Sequence, residues 1–430
     1  MARIVLTCWG SHGDIDPFLG LALALQARGH QATIATIEYY RSLIETSGLT
    51  FRPIRPKVDP SESSLIERIM DRSRGTDYLL RELLFPNVRA MFDDVSEAAA
   101  GADLLISHPI TFATPIVAAL RRIPWASVVL APASMFSATD MMVLPPAPWL
   151  KSLERFAPWT GPLLMRAVRR ILASWPTPVY ELRQSLGLPR GANPILEGQH
   201  SPTLVLALYS RLLGAPQPDW PPNAVVTGHA FYDAPHGISL APELEAFLDV
   251  GPPPLVFTLG SSVVIIEKDF WRASVDATTR LGARAVLIAG EGHERVRSMI
   301  PSSNSAAHAS DIIVVNRAPH SLLFPRASAV IHQCGVGTLA QSLRSGTPLL
   351  AVPYAHDQPD NAWRACQLGV ARLVPAGHYQ APRVAAQLRT LTTDPTYAAA
   401  AKRVADVVRS ERGLEAACDA LEHTFALSGS

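Results

Sequence analysis

A two-domain α/β architecture, each half a doubly wound parallel sheet, is the fold this sequence predicts. Three observations predict it. The chain has 430 residues, more than one ordinary core serves, so two domains of roughly 200 residues each are expected. Short β-branched runs alternate with amphipathic helical stretches, the pattern of a parallel sheet covered by helices. The alternation occurs twice, with a stretch bearing Pro and Gly between the two series.

In the first series residues 3–8 read as a strand, 17–28 as a helix and 31–37 as a second strand. Strands at 104–107 and 126–130 follow, each after a helical segment. From 131 to 189 the rhythm breaks, and Pro, Trp, Met and Leu become dense. That stretch reads as helices packed on the sheet, and equally as the lining of an apolar pocket or a membrane-facing lip. The second series starts at Leu255 and runs through strands at 285–289, 312–315, 329–332 and 349–352. The expected domains are therefore 1–232 and 255–410, with 233–254 as linker and 411–430 as a terminal helix.

Composition narrows the function classes. A hydrophobic fraction of 48% with 17% charge excludes a disordered chain. Lys plus Arg, 38, nearly equals Asp plus Glu, 37, so no net field recruits nucleic acid or an anionic surface. Cys8, Cys334, Cys366 and Cys418 are scattered without a CxxC spacing, which argues against a disulfide framework or a zinc site and for a reducing cytoplasm. The opening apolar run is short and reads as a first core strand, not a signal peptide. No uninterrupted apolar stretch of about 18 residues occurs, so a spanning helix is not expected. Peripheral membrane contact stays open.

The most informative stretch is 316–362. Its middle reads strand, small-residue turn (332–337), then helix, so turn amides and the helix N-terminus together suit an anion. His332 ends the strand and can donate to a phosphate oxygen; Gly335, Gly337 and Thr338 supply amides and a hydroxyl. Twenty residues on, Asp357, Gln358 and Asn361 form an acidic and amide group of the kind sugar hydroxyls need. Asp357 and Gln358 also read as a helix cap before Pro359. Thr258–Ser262, TLGSS, ends the first strand of this half and offers Ser261 to the same diphosphate.

With these motifs in place, the chain resembles the family-one glycosyltransferases of the two-Rossmann GT-B fold. It is similar to the bacterial antibiotic, macrolide and sterol members and to rhamnolipid-type rhamnosyltransferases. The resemblance implies a donor-binding second domain, an acceptor-binding first domain across a cleft, and a final helix crossing back. It makes His332 resemble the diphosphate-binding histidine, Gly337 and Thr338 the phosphate-cradling pair, and Asp357 with Gln358 the sugar-hydroxyl pair. Gly13, Ser261, Arg317, Gly335 and Asn361 complete the implied donor contacts. Three positions depart from the pattern. Arg317 or a neighbour stands where many relatives stack a Trp on the base, Cys334 replaces the first Gly of the usual pair, and the ribose-gripping Glu falls on Ala340. The last leaves a dTDP-sugar open beside a UDP-sugar, because thymidine has no 2′-hydroxyl to grip.

Direct displacement needs a base for the acceptor hydroxyl. The loop after the first strand, Gly10-Ser11-His12-Gly13-Asp14-Ile15-Asp16-Pro17, resembles the subgroup that places an Asp at Asp14. His12 is the rival, with an intrinsic pKa better suited to the work. Asp16 before Pro17 fits the N-cap and N1 positions of the next helix, which leaves Asp14 freer for chemistry. Asp14-Ile15-Asp16 also spells a DxD, discounted as a metal motif because it opens the first helix. Charge on the leaving group can be met by the helix N-terminus at Thr338, with His332 and the Ser261 region. No metal or other cofactor is expected.

His108 at a strand end is a possible acceptor-pocket residue, though an ordinary loop histidine reads as well. His356 shapes the sugar loop, and His320 is a candidate nucleotide contact. The expected activity is an inverting, metal-independent O-glycosyltransferase moving glucose or rhamnose from a UDP- or dTDP-sugar to a lipophilic or phenolic hydroxyl. A nucleotide-sugar epimerase and a catalytically silent partner subunit are the alternatives. A nicotinamide dehydrogenase would need a GxGxxG after the first strand, which CWGSHGD does not supply.

Overall fold

The computed structural model describes residues 1–59, 62–144, 147–151, 156–157, 159–233, 239–260, 268–300 and 311–427. Two compact units emerge. Met1–Asp59, Ser73–Tyr232 and Glu411–Ser430 form the first, and Pro60–Arg72 with Asp233–Ser410 the second.

The first unit is built on a seven-stranded parallel sheet in the order β3-β2-β1-β4-β5-β6-β7. Its strands are β1 (Arg3–Thr7), β2 (Gln31–Thr36), β3 (Thr50–Pro53), β4 (Leu104–Ser107), β5 (Trp125–Val129), β6 (Val205–Ala207) and β7 (Ala224–Val226). Strand order reverses direction between β1 and β4, the third and fourth strands across the sheet. β4 is buried at every position because helices cover both faces of a parallel sheet, which is why LLIS reads as an uninterrupted apolar run.

Beyond β5 the chain carries the helices Thr160–Leu172 and Thr177–Ser185. Large apolar side chains remain exposed here, among them Phe156 at 83%, Trp159 at 67% and Trp149 at 63%. Phe136, Met141, Leu144, Leu164 and Val168 line a small apolar cavity. Among the described residues no helix is long and apolar enough to cross a membrane.

The second unit holds a six-stranded parallel sheet ordered β10-β9-β8-β11-β12-β13. Its strands are β8 (Leu255–Thr258), β9 (Ala285–Ile288), β10 (Ile312–Val315), β11 (Ala329–His332), β12 (Leu349–Ala351) and β13 (Ala371–Leu373). Alternate residues of each strand serve opposite faces. Phe257, Leu287 and Ile331 enter one core, and Val256, Val286 and Val330 the other.

Two segments sit differently from the sequence reading. The stretch 233–254, expected as a linker, contains the helix Pro242–Asp249, whose Leu244 and Leu248 are buried in the core beside Val256. Residues 60–72, expected in the first domain, belong to the second unit. Ile66 and Met70 of the helix Ser63–Ile69 and its C-cap pack with Phe257, Phe270 and Trp271. In both cases leucine, isoleucine or methionine spaced along a helix finds apolar surface to cover, and burial of each stabilises by about 1.5–3 kcal/mol.

The last residues form two helices, Pro395–Ser410 in the second unit and Gly413–Phe425 in the first. The final helix packs on the helix His12–Ala27. Arg28 clamps it through Asp419 at 2.6 Å and Glu422 at 2.8 Å, and His30 reaches Glu422 at 3.1 Å. Gly413 makes this docking possible, because a Cβ there would lie 2.2 Å from the His229 carbonyl oxygen and 2.7 Å from its carbon. Backbone cannot yield as a side-chain tip can. Gly413→Val is therefore expected to cost about 2 kcal/mol through overpacking, lowering the melting temperature by ~4–8 °C. An unchanged melting curve would disprove this packing.

Candidate active site

In a doubly wound sheet the crevice for ligands lies at the carboxyl ends of the strands where the strand order reverses. The first sheet reverses between β1 and β4 and the second between β8 and β11. Most of the chemistry-bearing residues singled out above lie at these two points.

At the first point, β1 feeds directly into the helix His12–Ala27. The helix begins five residues earlier than expected. Ser11, not Asp16, is its N-cap, and Asp14 occupies N3. The Ser11 backbone N–H donates to Asp14 Oδ2 at 2.8 Å, and the Ser11 hydroxyl donates to the same oxygen at 3.2 Å. This is the carboxylate half of a capping box, favoured by the positive helix end. Asp16 and Pro17 thus lie inside the helix, correcting the N-cap and N1 positions given to them. Gly10 has φ +148°, and a Cβ on it would stand 2.3 Å from Asp14 Oδ2. Only glycine lets the carboxylate fold back over the strand end.

The other carboxylate oxygen meets β4. His108 Nε2 lies 3.4 Å from Asp14 Oδ1, with His108 7% exposed and Asp14 28%. His108 is firmly placed. Its backbone N–H donates to Thr7 O of β1 at 3.0 Å, and its carbonyl accepts from the Thr111 hydroxyl at 2.7 Å. Phe18 stands edge-on to its ring at 5.7 Å. His12 turns away: its Nδ1 pairs with Asp16 Oδ1 at 3.5 Å and its ring meets the edge of Tyr40 at 5.0 Å. The two carboxylates of the DxD are thus held by different partners. Burial, with Asp14 nearby, pushes the Cys8 thiol and the Tyr40 hydroxyl well up, so both stay neutral.

At the second point, β11 ends in the turn Gln333-Cys334-Gly335, which caps the helix Val336–Ser345. Gly335 is the N-cap, and Val336, Gly337 and Thr338 form the first turn, whose N–H groups lack partners within the helix. No acidic residue offsets the positive end. Cys334 adopts a left-handed φ of 65°. His332 does not do what its place in the sequence suggested. It is fully buried, its Nδ1 accepts the Cys334 N–H at 3.0 Å, and its Nε2 meets Ser342 Oγ at 3.1 Å. Burial, with His320 nearby, lowers its pKa to about 3. Both ring nitrogens are consumed in shaping the turn, so neither is left for a phosphate oxygen.

The neighbour that sequence reasoning passed over is Gln333. It is 5% exposed, its side-chain amide packs where a Cβ of Gly260 or Gly335 would lie, and its Oε1 has no hydrogen-bond partner. A buried amide oxygen without a partner costs about 1–3 kcal/mol, which singles this position out.

From β12 the helix Gln358–Gln367 starts with Asp357 as N-cap. Asn361 is 1% exposed and donates to Asp357 Oδ2 at 2.6 Å and to Cys334 O at 3.0 Å, tying this loop to the β11 turn. Gln358 Oε1 accepts from the Tyr354 N–H at 2.9 Å and from Ala355 N–H at 3.3 Å. Gln358 and Asn361 therefore brace the loop, while Asp357 is partly exposed at its mouth. His356 takes a left-handed φ of 58° before it. Arg317 is exposed after β10, and His320 stacks on Phe324 at 4.4 Å with burial lowering its pKa to about 4. Ser261 lies outside the described residues.

Two parallel-sheet units, each with a polar turn at its reversal point, have the architecture of the GT-B class. The likenesses agree. Residues 4–104 match the glycosyltransferase family 28 N-terminal domain, and 293–416 the erythromycin biosynthesis protein CIII-like C-terminal domain. The chain is 32% identical to the O-mycaminosyltylonolide 6-deoxyallosyltransferase of Streptomyces fradiae, over 98% of this chain and 97% of that one. It belongs, accordingly, to the family-one GT-B glycosyltransferases of antibiotic and macrolide type.

A sterol 3-beta-glucosyltransferase of Cryptococcus neoformans var. neoformans serotype D is 27% identical over 97% of this chain, which spans 27% of that longer protein. Among solved structures, the glycotransferase of kitacinnamycin superposes with a TM-score of 0.71 at 19% identity, covering 99% of each chain. Glycosyltransferase VinC in complex with dTDP gives 0.65 at 19%, again over 99% of each.

Proposed function

We propose that this chain is an inverting O-glycosyltransferase that moves glucose or rhamnose from a UDP- or dTDP-sugar to a hydroxyl of a small lipophilic or phenolic acceptor, without a metal. One observation carries the reading: a partly exposed carboxylate, Asp14, is fixed at the reversal point of the first sheet by partners on both of its oxygens. In the step proposed, the acceptor oxygen attacks the anomeric carbon and gives its proton to Asp14. The bond from that carbon to the diphosphate breaks, and its electron pair leaves with the nucleotide.

The turn around Gly335, Gly337 and Thr338 would meet the diphosphate, since its first-turn N–H groups and helix end favour an anion. Gln333, with its unpaired amide oxygen, stands beside them, and Asp357 would take sugar hydroxyls. Gly13 and Arg317 are proposed as outer donor contacts, His12 as the alternative base. In the DxD, Asp14 and Asp16 sit two residues apart on one helix, so roughly 200° of rotation separates them, which does not suit a shared cation. The Streptomyces fradiae relative is named as a 6-deoxyallosyltransferase, a solved neighbour is a spinosyn rhamnosyltransferase, and VinC holds dTDP. These names support a deoxyhexose on dTDP beside a UDP-hexose.

The exposed aromatic side chains of the first unit, Trp149, Phe156 and Trp159, suit a lipophilic acceptor. Free cysteines suit the cytoplasm. Relatives named as transferases, with Asp14 in place, speak against an epimerase or a silent partner.

Calorimetry of UDP and dTDP with metal-free protein tests the donor side. Binding of at least one is expected, and Thr338→Ala should weaken it about tenfold, the worth of one hydrogen bond to a charged group. Equal affinity in the variant would remove the turn from the donor site.

A further inference from the structure

We infer that His108 is the positioning residue of the base: its Nε2–H holds Asp14 Oδ1 so that the carboxylate presents its remaining lone pairs to the acceptor. This rests on the reading of Asp14 as base. Nothing in the sequence joins the two residues, which lie 94 positions apart; the parallel pairing of β1 with β4 sets their strand ends side by side.

Three observations carry it. First, Asp14 Oδ2 is already committed to the Ser11 N–H and hydroxyl, so the carboxylate can still rock about that anchor unless Oδ1 is held too. His108 Nε2, 3.4 Å from Oδ1, is the group placed to supply that second hold. Second, His108 Nδ1 is buried and has no hydrogen-bond partner. A bare nitrogen in that place costs less than a buried N–H with nothing to accept it. The geometry therefore places the ring proton on Nε2, facing Asp14. Third, the ring cannot swing off. Its backbone is hooked to Thr7 O, its carbonyl to the Thr111 hydroxyl, and Phe18 closes its side.

The other ionisable groups around Asp14 do not substitute. Cys8 gives its thiol to the Asp14 carbonyl at 3.4 Å, Tyr40 gives its hydroxyl to Gly10 O at 3.4 Å, and His12 and Asp16 pair with each other. So the acceptor meets a carboxylate with one rigid orientation, and a preoriented base loses less on reaching the transition state.

The test uses the full chain and two readouts. In protein carrying ¹⁵N-labelled histidine, the His108 ring is expected as the Nε2–H tautomer, with its Nε2–H signal moved in Asp14→Asn. An Nδ1–H tautomer, or a signal indifferent to Asp14→Asn, overturns the proposal. Turnover is followed as nucleotide release from UDP-glucose and dTDP-rhamnose, with water and with a macrolactone alcohol as acceptors. His108→Asn, whose amide cannot reach where Nε2 lay, is expected to lower kcat about 30-fold with the donor KM unchanged. His108→Gln, whose amide can reach, should restore at least a third of it. Equal kcat in the Asn and Gln variants, whether both high or both low, overturns the positioning role and leaves His108 as packing. If Asp14→Asn itself turns over like wild type, the base reading fails and takes this inference with it. An inactive Asp14→Asn beside a fully active His108→Asn sinks this inference alone.

Discussion

Asp14→Asn is expected to cut turnover by about 10²–10⁴-fold, the range over which a positioned general base contributes, while UDP and dTDP bind as they do to the unaltered chain. The substitution is nearly isosteric. The Asn oxygen can still accept the Ser11 N–H, so the start of the helix His12–Ala27 survives, but an amide cannot take the acceptor proton. Loss of the charge at the positive helix end costs about 0.3–1 kcal/mol, a small fall in melting temperature that separates a folding defect from a chemical one. The proposed nucleotide turn belongs to the other unit, so calorimetric affinity should not move. His12→Gln provides the contrast. Because His12 points to Asp16 and Tyr40, its replacement should lower kcat by less than tenfold. If His12→Gln were the crippled variant and Asp14→Asn the active one, the assignment of base would be reversed.

The second large effect concerns acid. His332, His320 and His200 are held neutral, with pKa values lowered to about 3, 4 and 4, chiefly because burial penalises their charged forms. In the unfolded chain each titrates near 6.5. Below that value the unfolded state takes up protons that the folded state refuses. Stability is thus complete well above pH 6.5 and lost progressively as pH falls through 6.5 towards 4 and 3. With the unfolded rings half protonated at pH 6.5, each histidine costs about 1 kcal/mol between pH 6.5 and 5.5, so the three together cost on the order of 3 kcal/mol over that interval. Chemical denaturation at pH 7.5, 6.5 and 5.5 would show it. The second unit, which holds two of the three, should give way first. A midpoint that stays level down to pH 5.5 would mean that these rings gain protons in the folded state.

Much of this was legible in the sequence, and what was not has physical reasons. Strands such as β8, β9, β10 and β11 are buried on both faces or nearly so, and their unbroken apolar runs announce them. β3 and β7 lie at the sheet edge with mostly exposed or half-buried side chains, and nothing in their composition marks them. The early helix start was encoded in Ser11 and Asp14, three apart, the spacing of a capping box, but Asp16-Pro17 offered a stronger-looking signal. The donor turn was visible as small residues between strand and helix. That His332 would spend both nitrogens internally was not, because Ser342 comes within reach only once the next helix folds over it. Gln333 was hidden beside a more conspicuous histidine. The partnership of Asp14 with His108 depends on which strands become neighbours, and that is a property of topology alone.

The route of the chain between its two units has a consequence for how the molecule is made. Neither unit is a contiguous stretch of sequence: the chain leaves the first at residue 60, returns at 73, leaves again at 233 and comes home at 411. As the polypeptide emerges during synthesis, the first unit must wait for its last helix, the one Arg28 and Gly413 dock, until everything else has been made. The second unit receives one helix of its core long before the strands that will cover it. A gene cut at residue 233 would therefore yield two orphans, each lacking a piece encoded in the other half. Exchange of whole halves between relatives should succeed only when residues 60–72 travel with the rear half and 411–430 with the front.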